Sequence, residues 1–81
     1  MFMDIDDVLS QNPYGVIYCL TCKVNGKVYI GQTTDFNFRM RKYKRLHCKA
    51  QRKIYNALKK HGSDNFSYDI LDMTVNEAIL D

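Results

Sequence analysis

"VIYCLTCKVNGKVYIG", residues 16–31, decides how this chain folds. Residues 15–22 and 27–32 are rich in β-branched and aromatic types, and Asn25-Gly26 lies between them. Asn-Gly is a strong short-range hairpin signal, because a two-residue type I′ turn needs positive φ at both central positions. With that turn, paired positions sum to 51, so Cys22 faces Tyr29 and Tyr18 faces Thr33. Side-chain alternation then puts Tyr18, Leu20, Cys22, Lys27, Tyr29 and Gly31 on one face of the hairpin. Ile17, Cys19, Thr21, Val28 and Ile30 take the other. Two tyrosines eleven residues apart thus point the same way.

On the N-terminal side, residues 3–10 read as a short helix with Ile5, Val8 and Leu9 on one side, ended by Asn12-Pro13. Beyond Gly31 the period turns helical. Thr34 or Asp35 can cap, and Phe36, Met40, Tyr43 and His47 recur at spacings of three and four. Arg39 and Tyr43 share one side of that helix as an i, i+4 pair. A second helix is expected over Ala50–Lys60, with Ile54, Ala57, Leu58 and His61 as its inner stripe. Gly62 follows as its cap, and Lys59 and Lys60 complement its dipole. "NFSYDILDM" (65–73) alternates as a strand, and Thr74-Val75-Asn76-Glu77 has capping-box form for a last helix. Hairpin, two helices, strand, helix is an α+β order: a small antiparallel sheet with helices packed on it.

At 81 residues the chain is read as one domain, residues 1–81, with its core over 14–80 and its last helix continuing past Asp81. Apolar content of 46% is enough for a globular core and argues against disorder. No apolar run approaches the roughly 20 residues of a membrane span. The acidic start "MFMDIDDVLS" is unlike a signal or transit peptide, so an intracellular location is expected. Three cysteines cannot all pair, which suits a reducing compartment. The net charge of +3 conceals a strong asymmetry. Ten of the twelve basic residues lie between Arg39 and Lys60, and no acid occurs between Asp35 and Asp64. A basic middle between acidic ends favours a polyanion, nucleic acid above all.

Three constellations compete for the chemistry. Cys19-Leu20-Thr21-Cys22 invites zinc, with His47, Cys48 and His61 as further ligands, in a metal-stabilised interaction domain. Residues 19 and 22 of a regular strand project from opposite faces, however, and adjacent helical residues such as His47 and Cys48 chelate poorly. Cys48 in basic surroundings is a candidate low-pKa thiol beside His47. The third constellation is Tyr18, Tyr29, Arg39 and Tyr43. Phosphodiester hydrolysis needs a group that handles water and positive charge for the developing pentacoordinate phosphate. Arginine suits the second task, and a tyrosine suits the first where nearby cations favour its phenolate.

"VIY" at 16–18, "YIG" at 29–31 and Arg39, ten beyond Tyr29, resemble the GIY-YIG nuclease family. "NGKVYIGQTTDFNFR" is similar to that family's second strand and first helix. "IYNALKKHGSDNFSYDIL" resembles the stretch that follows in its homing and phage endonucleases. The resemblance implies a three-stranded antiparallel sheet flanked by helices, and a DNA endonuclease using magnesium or another divalent metal such as manganese. It implies Tyr18 as general base or positioner of the attacking water, and Tyr29 as placing phosphate and water. Arg39 would stabilise the transition state. Tyr43 stands where the family often has histidine, so that position cannot be a cation here. Gly31 would allow close backbone approach. With it, Arg41, Lys42, Lys44, Arg45, Lys49, Arg52 and Lys53 are the expected DNA contacts. The first triplet begins with Val16 in place of glycine. The metal-binding glutamate is expected beyond Asp81; Glu77 is the sole glutamate and falls early. A DNA-recognition domain following this chain in a longer protein, and a non-catalytic DNA-binding module on the same scaffold, both fit these residues.

Overall fold

The structure, a computed structural model, describes residues 2–74. Helix α1 (Ile5–Ser10) precedes strands β1 (Gly15–Cys22) and β2 (Val28–Thr33). Helices α2 (Phe36–Lys44) and α3 (Arg52–His61) follow, then a 3-10 turn at Ser63–Asn65 and strand β3 (Phe66–Thr74). The sheet is antiparallel with order β2-β1-β3, so β1 is central. This is the α+β arrangement expected: a three-stranded antiparallel sheet flanked by helices. Thr74, the first residue of the expected capping box, ends β3, and the rest of that box and the helix expected after it lie outside the described residues.

The hairpin forms where Asn25-Gly26 places it, but its register differs from expectation by two. Pairs sum to 49: Tyr18 faces Gly31 and Leu20 faces Tyr29. Cys22 therefore does not face Tyr29, nor Tyr18 Thr33. The reason lies in the turn. Gly26 alone takes positive φ (75°), whereas Asn25 stays out of the left-handed region and its side chain accepts from the Lys27 N–H (2.9 Å). The Cys22 carbonyl accepts from the Gly26 N–H (2.8 Å), and the Cys22 N–H donates to the Lys27 carbonyl (2.8 Å). The loop is thus the four residues Lys23–Gly26. A shift of two is an even step, so every side chain keeps the face that alternation assigned it.

Across the other edge, β1 and β3 change register between Ile17 and Tyr18, where Ile17 faces Asp72 and Tyr18 faces Ile70. Leu71 is the extra residue, a β-bulge beside Tyr18. The inner face of the sheet carries Val16, Tyr18, Leu20, Cys22, Phe66 and Ile70 into one core. The helices add Val8, Phe36, Met40, Tyr43, Ile54 and Leu58.

Asp35, one of two expected caps, starts α2 by accepting from the Phe38 N–H (3.0 Å). The helix ends earlier than its apolar spacing suggests. Leu46 takes φ 60°, and the His47 N–H returns to the Lys42 carbonyl (2.8 Å). His47 is therefore beyond the helix and exposed, not on its inner stripe. Helix α3 begins at Arg52 instead of Ala50, because residues 48–51 close a turn through the Gln51 N–H and the Cys48 carbonyl (2.9 Å). Of its expected stripe, Ile54 and Leu58 are fully buried while Ala57 and His61 are partly so. Gly62 (φ 85°) closes it, its N–H reaching the Leu58 carbonyl (2.8 Å). Helix α1 begins at Ile5 because Asp4 caps it, and Met3 instead bridges to Ile70 of β3.

The corrected register gives Gly31 a purpose. A Cβ there would lie 2.5 Å from Cζ of Tyr18 and closer still to its hydroxyl. That ring is rigid and buried and has little room to yield. Gly31→Ala should therefore cost about 1–3 kcal/mol as overpacking, read from urea unfolding. Combined with Tyr18→Leu, the loss should fall short of the sum of the two single losses. A Gly31→Ala protein with an unchanged midpoint contradicts this packing.

Candidate active site

Tyr18 stands on the central strand with its ring in the core, 3% exposed, and a buried phenol there needs a partner. Tyr43, one turn beyond Arg39 on α2, provides it: the two hydroxyl oxygens are 2.5 Å apart. The rings meet edge-on, with centroids 5.9 Å apart and planes at 61°. Tyr43 in turn donates to Oε1 of Gln51 (2.7 Å), the N-cap residue of α3. A line of hydrogen bonds thus runs from β1 through α2 to the N-cap of α3.

That line borders a groove of about 390 Å³ lined by Tyr18, Tyr29, Gly31, Tyr43, Gln51, Arg52 and Lys53, among others. Tyr29 is half-buried, its ring 6.4 Å from that of Phe66. Tyr29 and Lys53 also line a second cleft with Lys27, Asn56, Lys60 and His61. Arg39 is half-buried and borders a separate depression with Tyr14, Gln32, Thr33 and Thr34. The charge of its guanidinium nevertheless favours the Tyr18 phenolate.

The balance at Tyr18 differs from the expectation that cations favour the phenolate. Burial pushes the phenol well above its ordinary value, and the hydrogen bond and charge of Tyr43 push the same way. Arg39 lowers it, but by less. Tyr18 is therefore a neutral phenol at physiological pH.

The expected DNA contacts separate in space. Gly31, Arg52 and Lys53 line the tyrosine groove. Arg41 and Lys44 line a different depression with Ile5, Phe36, Met40 and Tyr68, where Lys44 Nζ lies 4.9 Å from the Tyr68 ring centre. Lys42 and Arg41 stack over Phe38, at 5.5 and 5.9 Å. Arg45 and Lys49 are exposed.

The cysteines form no ligand set. Cys19 and Cys22 take opposite faces of β1, both buried, and Cys48 is buried in the core. Among the described residues no cluster of His, Cys, Asp or Glu could hold a metal ion. The Cys48 thiol is shifted up by burial despite the charge of Lys42, contrary to the low-pKa reading. The tyrosine groove has no carboxylate among its lining residues, and Glu77 lies outside the described residues. Gln51 is the site residue that sequence reasoning missed. A polar residue ahead of a helix signals only a cap, yet Gln51 makes no side-chain cap bond to its own helix.

Residues 14–79 match a family described as the GIY-YIG catalytic domain. No curated protein and no solved structure matches the chain. No helix among the described residues is long and apolar enough to cross a membrane.

The Tyr18 shift has a signed consequence for stability. A raised pKa means the folded state holds this proton more tightly than the unfolded chain does. The stabilisation is complete below the unfolded value of about 10 and is lost as pH rises towards the folded value. The stability difference between wild type and Tyr18→Phe should be flat below about pH 9. Above about pH 10 it should fall by up to roughly 1.4 kcal/mol per pH unit. Urea unfolding across that range measures it, and a difference that rises with pH contradicts the assignment.

Proposed function

The chain belongs to the GIY-YIG catalytic-domain family, and from that membership we propose that it is a DNA endonuclease hydrolysing phosphodiester bonds. The observation that carries the reading is the convergence of Tyr18, Tyr29 and Tyr43 on one groove, with Arg39 acting on Tyr18. In this proposal the scissile phosphate enters between Tyr29 and the start of α3. Arg52 and Lys53 attract it, helped by the positive end of the helix dipole. The strand continues past Lys53 into the cleft of Lys27 and Lys60.

Tyr18, neutral in the free protein, cannot take a proton from water until it has lost its own. The role its resting state supports is orientation: its oxygen accepts a hydrogen bond from the attacking water. Tyr29 places the phosphate, and Arg39 offsets the charge that grows on its oxygens as the new P–O bond forms. Arg41 and Lys44, on another side of α2, would meet DNA only where the duplex wraps beyond the groove. Family membership adds a divalent cation, magnesium or manganese, to the proposal. The described residues bring no carboxylate to the groove, and so by themselves do not make a seat for it.

Plasmid nicking in magnesium tests the proposal. Arg39→Ala should lower the rate about 100-fold or more, as loss of an electrostatic transition-state contact does, with the unfolding midpoint unchanged. Nicking at the wild-type rate would remove Arg39 from the chemistry. Chelation with EDTA should stop the reaction and added magnesium restore it; nicking that persists in EDTA would remove the cation. Salt-dependent DNA binding with no turnover under any of these conditions would favour a non-catalytic binding module.

A further inference from the structure

We propose that Gln51 is a positioning residue of this site, fixing the direction of the hydrogen bonds that run through Tyr43 to Tyr18. The proposal rests on the nuclease reading for its effect on rate, and on geometry alone for its effect on the tyrosines.

A count of protons sets the direction. An amide oxygen accepts and cannot donate, and a phenol has a single proton. Tyr43 gives that proton to Gln51 Oε1 at 2.7 Å. Its oxygen can then only accept from Tyr18, 2.5 Å away. The Tyr18 proton is thereby directed at Tyr43, away from the groove that its ring lines. What Tyr18 turns to the groove is acceptor capacity, which is what holding the hydrogen of an attacking water requires.

Without Gln51 the two phenols could bond in either direction, and half of the arrangements would spend the Tyr18 acceptor on Tyr43. The placement of Gln51 supports this role. It is the N-cap residue of α3, a position where a side chain ordinarily serves the helix, yet it makes no cap bond.

Two substitutions separate the proposal from a merely structural role. Gln51→Met keeps the length and removes the acceptor. Gln51→Glu keeps an acceptor that cannot donate when ionised. The charged groups around the site, Arg39 from α2 with Arg52 and Lys53 from α3, are the same in all three proteins. In Gln51→Met the freed Tyr43 proton can turn to a Tyr18 phenolate, so Tyr18 should ionise at lower pH than in wild type. In Gln51→Glu the carboxylate holds the Tyr43 proton harder and adds negative charge, so Tyr18 should ionise at higher pH.

Ring-carbon NMR of labelled tyrosines, assigned with Tyr18→Phe, reads the onset of Tyr18 ionisation in the folded free protein, which should come earlier in Gln51→Met than in wild type and no earlier in Gln51→Glu. In plasmid nicking, Gln51→Met should lower kcat about tenfold, the worth of one oriented hydrogen bond, with KM little changed. Gln51→Glu should recover most of that kcat. An onset in Gln51→Met no earlier than in wild type, an onset in Gln51→Glu as early as in Gln51→Met, or a Gln51→Met kcat equal to wild type overturns the proposal. Should wild type itself fail to nick DNA, the nuclease reading falls, while the onsets of the two titrations still decide whether Gln51 sets the direction.

Discussion

The fold turns on a phenol hydroxyl held inside the core. Tyr18 sits on the central strand, and its ring occupies the space that the missing side chain of Gly31 leaves open across β2. Placing a large polar-tipped residue there obliges the structure to satisfy its oxygen, since a buried hydroxyl without a partner costs roughly 1–3 kcal/mol. Tyr43 meets that demand from α2, and Gln51 meets the next one from α3. One requirement of elementary hydrogen bonding thus ties the sheet to both long helices. It also explains why a glycine, two tyrosines and a glutamine far apart in sequence meet in one place.

The same arrangement sets the chemistry available. Burial and Tyr43 keep Tyr18 protonated against the pull of Arg39, so the groove holds a neutral acceptor beside fixed positive charge. An anionic substrate meets Arg52 and Lys53 without first displacing a phenolate. No carboxylate lines the groove wall to compete with a substrate for that charge. Under the proposed nuclease reading, such a site would attract a phosphate while Tyr18 keeps its proton.

Much of this was legible in the sequence, and for physical reasons. Asn25-Gly26 marked the hairpin, Asp35 and Gly62 marked helix ends, and period-two alternation put Tyr18 and Tyr29 on one face. The register itself was not legible, because a four-residue loop closed by Gly26 alone uses the same Asn-Gly pair as a two-residue turn. The error did no harm to facing, since the offset is even. Apolar spacing overextends α2, because nothing in Leu46 announces a left-handed residue. Gln51 was invisible for a deeper reason. Its partner lies eight residues back on another helix, and only the packing of α3 against α2 makes the pair.

The Tyr18 hydroxyl is the pivot, because the groove, the hydrogen-bond line and the proposed orientation of water all run through that atom. Plasmid nicking by Tyr18→Phe, measured beside its DNA affinity and its unfolding midpoint at neutral pH, tests it most directly. The substitution keeps the ring over Gly31 and removes only the oxygen. A protein that remains folded, binds DNA as wild type does and nicks it about 100-fold more slowly or worse is the predicted result. A folded Tyr18→Phe protein that nicks at the wild-type rate would contradict the account.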